Sequence, residues 1–238
     1  MASGIRRLRA GMISVLLPGM AVAQARHYPL ESVNGLHLIN VVAQPLIHQG
    51  KNGLRVMVDS VAARQAVAAP GRPDPALIAS IEGLELSNGV IEVEVAGAPA
   101  PGADQGARGF VGIAFRLQAD QQTYDAFYLR PTNGRADDQE RRNHAAQYIS
   151  HPDWPWFRLR AESPSKYEAY VDLVPDAWTT MRIEVSGARA RLYVNGQPQP
   201  TLIVNDLKTG ATGTGGVALW IGPGTIAHFR NLTVTDIR

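Results

Sequence analysis

Residues 178–196 read WTTMRIEVSGARARLYVNG and contain two runs in which apolar and polar side chains alternate. The apolar members are Met181, Ile183 and Val185 in the first run, then Leu192 and Val194 in the second. A period of two is typical of a strand that buries one face. The Ser186-Gly187 pair between the runs is a turn signal, so the segment predicts an antiparallel β-hairpin.

The same alternation continues on both sides of this hairpin. It recurs in residues 90–95, 111–118, 126–130, 217–221 and 232–234, and turn signals such as Asn52-Gly53, Asn88-Gly89 and Asn133-Gly134 separate the runs. Short strands at this spacing, without a long amphipathic helical pattern, predict an all-β fold: an antiparallel two-sheet jelly-roll sandwich. Residues 62–76 and 96–107 break the rhythm and are predicted to be connections within one domain.

The composition fits a folded domain that does not bind nucleic acid. The chain has 238 residues, of which 45% are apolar and 18% charged, and its formal net charge is only +2. Because no continuous basic stripe is interleaved with aromatic residues, nucleic acid is not an expected partner. The chain contains no cysteine, which excludes disulfides, thiol catalysis and cysteine-ligated metals. No pattern predicts the oligomeric state.

The N-terminus has the layout of a secretory signal peptide. Arg6, Arg7 and Arg9 precede an apolar run over residues 10–23, and alanines at 21, 23 and 25 offer cleavage positions. The run is shorter than the ~20 residues that span a membrane, and Pro18-Gly19 disfavours the alternative of a buried helix. We therefore predict a leader over residues 1–25, an exported product, and one jelly-roll domain over residues 26–238 without a membrane span.

Three segments carry a resemblance to a known superfamily. They are residues 110–130 (FVGIAFRLQADQQTYDAFYLR), residues 178–196, and residues 215–234 (GGVALWIGPGTIAHFRNLTV). Together they resemble the concanavalin A-like lectin/glucanase superfamily of laminin-G-like jelly rolls. Within it they are similar to exported domains grouped with 3-keto-disaccharide hydrolases and family 16 glycoside hydrolases. The resemblance covers residues 80–238 and implies a saccharide ligand, although such sandwiches host hydrolases, lyases and lectins alike.

The polar sides of the predicted strands supply candidate binding residues. In carbohydrate-active members of the superfamily, the concave sheet holds the sugar. If the strands share that sheet, the cleft contains Glu92, Glu94, Arg116, Tyr128 and Arg130. Arginine forks suit sugar hydroxyls and carboxylates, and Arg130 is expected to matter more for ligand than for folding. The alternative is a solvated face of cross-strand ion pairs.

Residues 143–172 form an unusually aromatic and polar segment. Trp154 and Trp156 flank Pro155 and could stack against sugar rings, or could close the end of the sandwich. Gln147 and Arg158 are further candidates for binding. His151 is a candidate general base or metal ligand. His144 ranks below His151 for these roles. Trp178 is expected in the core.

Three catalytic schemes compete. Family 16 hydrolases use E-x-D-x-x-E, of which only Glu92-Val93-Glu94 is present here. A lyase scheme would use Arg130, Gln147 and His151 with Tyr148. The 3-keto-glycoside scheme removes the proton beside the ketone with a carboxylate or histidine. Glu94, Glu92 and His151 are the candidate catalytic residues.

The function and the cofactors remain open at this point. Cleavage of a glycosidic bond, hydrolytic or eliminative, is the leading function; the alternatives are a non-catalytic lectin-like domain and a laminin-G-type adhesion module. No spacing indicates zinc. A structural calcium ion at Asp137, Asp138 or Asp206 is compatible with the fold, but no motif marks a site.

Overall fold

A computed structural model describes residues 24–61 and 75–237. The predicted leader lies almost wholly outside these residues, as does most of the connection predicted over residues 62–76. Among the described residues, no helix is both long enough and apolar enough to cross a membrane.

The described residues are dominated by short strands. In chain order they are β1 (Gln24–Tyr28), β2 (Leu36–Ile39), β3 (Val41–His48), β4 (Lys51–Val58), β5 (Ile78–Leu86), β6 (Gly89–Pro99), β7 (Val111–Leu117), β8 (Tyr124–Leu129), β9 (Ala146–His151), β10 (Glu168–Ala169), β11 (Thr179–Ser186), β12 (Arg189–Val194), β13 (Leu202–Val204), β14 (Gly215–Ile221) and β15 (Thr225–Asp236). Two short helices, α1 (Gln139–Asn143) and α2 (Trp156–Glu162), flank β9.

The strands form two antiparallel sheets. An eight-stranded sheet has the order β13-β12-β11-β6-β15-β4-β3, with β1 also paired to β15. A seven-stranded sheet has the order β10-β9-β8-β7-β14-β5-β2. The crossovers between sheets are those of a jelly-roll sandwich, which confirms the predicted all-β fold class.

Strands β11 and β12 form the antiparallel hairpin that was predicted from residues 178–196. Met181 pairs with Val194 and Ile183 with Leu192, and these four side chains are at most 1% exposed. Gly187 in the turn has a φ of +56°, which glycine adopts at low cost. The alternation therefore marks the face that packs into the core between the sheets.

Strand order separates residues that were expected to share a cleft. β6 lies in the eight-stranded sheet, whereas β7, β8 and β9 lie in the seven-stranded sheet. Ile91, Val93 and Val95 of β6 point into the core, so Glu92 and Glu94 lie on the outer face of the eight-stranded sheet. The expectation that these carboxylates lie in one cleft with Tyr128 and Arg130 is wrong, because the two outer faces point in opposite directions.

Candidate functional site

A row of paired residues crosses the outer face of the seven-stranded sheet. From strand to strand its members are Trp220, Gly112, Tyr128, Gln147 and Glu168. A Cβ atom at Gly112 would lie 2.1 Å from the carbonyl oxygen of Phe127 and 2.6 Å from the Cβ atom of Tyr128. Glycine at this position lets the rings of Tyr128 and Trp220 stack across it, with their centroids 4.6 Å apart.

A second aromatic pair lies beside this row. The rings of Tyr124 and His151, on paired strands, stack with their centroids 4.9 Å apart. The indole nitrogen of Trp220 donates to the Tyr124 hydroxyl over 3.1 Å and joins the two pairs. The positions between them on β8, β7 and β14 are Ala126, Ala114 and Ala218, whose small side chains leave room for these rings.

The rings form the base of a cleft of about 440 Å³. This volume lies within the ~300–1,000 Å³ range of pockets that hold small ligands. Phe110 and α2 form its walls, and Trp156 and Phe157 keep 40% and 38% of their surface exposed there. The cleft therefore offers exposed aromatic faces above a buried base.

His151 supplies an ionisable group in this cleft. Its Nδ1 atom lies within hydrogen-bond distance of the Gln122 carbonyl oxygen. A carbonyl oxygen can only accept, so Nδ1 carries the proton of the neutral ring and Nε2 is the basic nitrogen. The carboxylate of Asp104, from the connection between β6 and β7, also lines the cleft. The structure thus places the predicted His151 in a cleft that also contains a carboxylate that the sequence did not single out.

Arg130 lies at the end of the first aromatic row and is only 5% exposed. Its guanidinium donates to the Tyr128 hydroxyl over 2.9 Å, to Oε1 of Gln147 over 3.1 Å and to the His144 carbonyl oxygen over 2.9 Å. The predicted residues Tyr128, Arg130 and Gln147 therefore meet in one network. Within this network, Tyr128 lines the cleft, whereas Arg130 and Gln147 are buried and do not line it.

Glu168 connects this network to a second arginine. Its side chain is 3% exposed and accepts two hydrogen bonds from Arg160, over 2.9 and 2.7 Å. Arg130 lies 3.8 Å from the same carboxylate, and Nε2 of His144 lies 3.5 Å from it. Burial lowers the pKa of His144, although the charge of Glu168 opposes this change.

Trp156 joins the cleft to this charged network. Its ring lies 4.7 Å from the Arg160 guanidinium and 5.8 Å from that of Arg130. Trp156 begins α2 directly after Pro155, and Arg160 follows one turn later on the same helix face. Local helix geometry thus fixes the orientation of this aromatic wall.

The other two candidates from this segment pack away from the cleft. The ring of Trp154 lies 3.9 Å from the Arg158 guanidinium and 4.6 Å from Nζ of Lys208, and it packs against the core. Arg158 donates to Glu162 over 2.7 Å and to the Asp153 carbonyl oxygen over 2.8 Å. Neither side chain lines the cleft. The two tryptophans predicted as a pair therefore have different surroundings.

Arg116 lies inside the protein rather than on a sheet face. The register of β7 against β14 shifts at this residue, and Arg116 has a φ of +55°. Its fully buried guanidinium donates to the carbonyl oxygens of Ser87, Gly187 and Gly210. The expectation that Arg116 faces a sugar is wrong, because the bulge reverses the alternation at this position.

Glu92 and Glu94 make ion pairs on the opposite side of the sandwich. Glu94 accepts hydrogen bonds from Lys51 over 3.0 Å and Asn231 over 2.9 Å, and Glu92 lies 3.4 Å from Arg182. Partial burial raises the pKa of Glu94, but these hydrogen bonds outweigh it and the net pKa is lowered. The surroundings match the alternative of cross-strand ion pairs, and a catalytic role for either residue stays a prediction.

Two of the three carboxylates considered for calcium have other partners. The side chain of Asp138 caps α1 by accepting from the Arg141 backbone N–H. Asp206 accepts from Tyr167 over 2.6 Å and from Lys166 over 2.9 Å. Both therefore have a structural role in the described part of the chain.

Comparison with solved structures reveals relatives in fold. The carbohydrate-binding module CBM66 from Bacillus subtilis is 12% identical, covering 84% of this chain and 94% of its own, with a TM-score of 0.55. The β-glucanase of Bacillus licheniformis is 13% identical over 90% of this chain and 98% of its own, with a TM-score of 0.47. At these identities the likeness concerns the fold alone. Comparison with curated protein sequences gives no match.

The family comparison is more specific. The model of the 3-keto-alpha-glucoside-1,2-lyase-like domain matches residues 62–235, which is most of the chain. The match includes all the strands of the seven-stranded sheet except β2. It also confirms the resemblance seen in the three sequence segments. The chain belongs to the family of 3-keto-alpha-glucoside-1,2-lyase-like domains.

Proposed function

We propose that the aromatic cleft binds a 3-keto-α-glucoside and that the protein cleaves its glycosidic bond by elimination. The observation that carries this proposal is the position of His151. Its basic nitrogen belongs to a ring held in a cleft of aromatic side chains, and the same cleft contains Tyr128, whose hydroxyl accepts a hydrogen bond from the buried Arg130. Aromatic walls with a few placed polar groups suit a sugar ring, which has C–H faces and a rim of hydroxyls.

The chemistry requires one base and one group that stabilises negative charge. A ketone at C3 of the sugar acidifies the C–H bond at C2. Removing that proton forms an enolate, whose electron pair then makes a C1–C2 double bond as the C1–O bond breaks. The departing oxygen takes up a proton and leaves as an alcohol. No oxidant or reductant is consumed, because the electron pair of the C2–H bond ends in the C1–C2 double bond while the pair of the C1–O bond leaves with the oxygen. The proton taken from C2 can return to that oxygen.

Two groups of the cleft suit these tasks. Nε2 of His151 would take the C2 proton, since a neutral imidazole is an effective base near pH 7. The Tyr128 hydroxyl accepts a hydrogen bond from Arg130, so its own O–H can donate to the enolate oxygen. A preorganised donor aimed at developing charge is a large contribution to catalysis.

The proposed location follows from the leader alone. Residues 1–25 have the charge and apolar pattern of a signal peptide, and we place the activity outside the cytoplasm on that basis.

The test compares His151→Asn with Glu94→Gln. The substrate is a 3-keto-α-glucoside, and the assay follows the absorbance of the conjugated enone together with release of the alcohol. His151→Asn should lose about 10²–10⁴ in kcat, as is typical when a general base is removed. If the cleft is the active site, Glu94→Gln changes a carboxylate on the opposite face and should keep the parent rate. Loss of turnover in Glu94→Gln with a normal rate in His151→Asn would contradict the proposal and place the active site on the outer face of the eight-stranded sheet.

A second candidate function is saccharide binding without cleavage. The observation that favours it is the exposure of Trp156 and Phe157, which present stacking surfaces at the mouth of the cleft. The fold is also that of a carbohydrate-binding module. Binding of 3-keto-α-glucosides and plain oligosaccharides, with no alcohol released from either, would favour this function over elimination.

A further inference from the structure

We propose that His48, Asp176 and His228 form a binding site for a divalent transition-metal ion of the zinc type. The three residues come from the end of β3, from the loop before β11 and from β15. They lie on the outer face of the eight-stranded sheet, on the side of the sandwich opposite the aromatic cleft. One ligand atom from each residue lies within 4.8 Å of those from the other two.

The spacing of the first two ligands already suits a metal. Nε2 of His48 lies 3.4 Å from Oδ1 of Asp176 and 3.0 Å from the backbone carbonyl oxygen of the same residue, to which it donates, so a bound metal ion would replace this hydrogen bond. Bonds of about 2.0–2.2 Å from zinc to nitrogen and oxygen place the corners of a tetrahedron about 3.3–3.5 Å apart. The ligand atom of His228 lies within 4.8 Å of the other two and must move closer to them to complete the set. The structure therefore brings two corners of the site together and holds the third nearby.

His228 is the residue whose surroundings point to a missing partner. It is 5% exposed, and its buried Nδ1 atom has no hydrogen-bond partner among the described residues. Buried polar atoms nearly always have a partner, because leaving one unsatisfied forfeits its hydrogen bonds to water without replacement. The ring stacks on His48 with a centroid separation of 3.8 Å and an angle of 4°. Binding requires one ring to tilt out of this stack so that both nitrogens point at the ion.

The donor set selects the class of metal. Two imidazoles and one carboxylate suit zinc, cobalt and nickel, whereas calcium takes six to eight oxygens. The Asp176 side chain is 50% exposed, so water can supply a fourth ligand. This site is separate from the carboxylates considered for calcium and from the catalytic groups of the cleft.

Trp178 provides a reporter beside the site. The sequence placed it in the core, but its half-buried ring lies on the outer face, with its centroid 5.4 Å from that of His48. Its indole nitrogen donates to the His48 carbonyl oxygen over 3.2 Å. A metal that tilts the His48 ring should therefore change the tryptophan emission, and Co²⁺ or Ni²⁺ should quench it.

The experiment uses untagged, chelator-treated protein titrated with Zn²⁺ and Co²⁺. We expect one equivalent to bind, and Zn²⁺ at 100 times its Kd to raise the Tm by about 5–10 °C. His48→Gln and Asp176→Asn should each weaken binding at least about 10-fold. Substituting even a residue that only hydrogen-bonds to a metal ligand typically lowers metal affinity by that factor. Both side chains are partly exposed, so both variants should fold, and the Tm of the metal-free forms checks this.

Two histidine variants serve as matched controls. His27 is exposed on β1 of the same sheet, and His144 lies on the opposite side of the sandwich. His27→Gln and His144→Gln should bind Zn²⁺ with the parent affinity. Absence of a thermal shift, or unchanged affinity in both His48→Gln and Asp176→Asn, would overturn the proposal. Loss of binding in His144→Gln would place the metal in the charged network beside the cleft instead.

Discussion

Replacing Arg130 by methionine tests whether the network behind the cleft stabilises the fold. The change removes hydrogen bonds to the Tyr128 hydroxyl, to Gln147 and to the His144 carbonyl oxygen. It also removes one of the cations beside Glu168, whose side chain is 3% exposed. Breaking a buried ion pair by removing one partner costs about 3–5 kcal/mol. Because Arg160 keeps both of its bonds to Glu168, we expect a value near the lower end, about 3 kcal/mol.

This magnitude departs from the expectation drawn from the sequence. An arginine that alternates with buried Phe127 and Leu129 was expected to be solvated and to affect folding little. The structure instead buries it, so Arg130→Met should approach the cost of Phe127→Ala, about 3–5 kcal/mol. In a domain of this size 1 kcal/mol corresponds to about 2–4 °C, which gives a fall in Tm of about 6–12 °C.

The measurement is urea unfolding followed by circular dichroism. Arg135→Met is the matched control, because Arg135 pairs with Asp172 over 2.7 Å on the surface with both side chains more than half exposed. Exposed ion pairs contribute little to stability, because solvent screens them. If Arg130→Met and Arg135→Met unfold at the same urea concentration with the same slope, the buried network does not stabilise the fold and the reasoning fails.

Three further predictions concern the core, the pH dependence and the leader. Arg116→Leu should lower the free energy of unfolding by about 3 kcal/mol or more, because it leaves several buried carbonyl oxygens unsatisfied; a normal urea midpoint would contradict this. Burial, assisted by His48 and opposed by Asp176, lowers the pKa of His228 to about 4. Since the unfolded chain binds the proton at about 6.5, metal-free protein should lose stability as pH falls from about 6.5 to about 4, and the loss should be smaller in His228→Gln. N-terminal sequencing of exported protein should give a start near Gln24 or Arg26; an intact Met1 would contradict the leader.

The fold could be predicted because its signals are local. Alternation within β11 and β12 needs only the register of one hairpin, and Gly187 marks the turn. The resemblance in residues 110–130 and 215–234 encodes the same kind of information, since each segment contains strands whose buried faces repeat every two residues.

The composition of the site depends on strand order, which the sequence does not encode locally. β6 pairs with β11 and β15, which follow it by long stretches of chain, and this pairing carries Glu94 away from the cleft. Trp220 and Tyr128 meet only because Gly112 lies between them in the register of three strands. Nothing in residues 110–130 alone indicates that this glycine faces Trp220.

Irregular backbone explains two of the remaining differences. In the sequence, Arg116 fits the alternation of β7. A bulge in the strand directs its side chain into the protein interior, where it donates to backbone carbonyl oxygens. Trp154 and Trp156 are indistinguishable in sequence around Pro155. The start of α2 at Trp156 separates them, because the helix directs Trp156 to the cleft while Trp154 packs between Arg158 and Lys208.

The most direct test of the saccharide cleft compares these two tryptophans. Calorimetric titration of a 3-keto-α-glucoside into Trp156→Ala and Trp154→Ala, well below the Tm of each, measures the two contributions to affinity. Aromatic stacking contributes about 0.5–1.5 kcal/mol beyond burial, and about 1.4 kcal/mol corresponds to 10-fold. We predict that Trp156→Ala weakens binding about 10-fold or more, while Trp154→Ala keeps the parent affinity despite a lower Tm. Equal affinities in the two variants, or a loss confined to Trp154→Ala, would contradict the assignment of the aromatic cleft as the saccharide site.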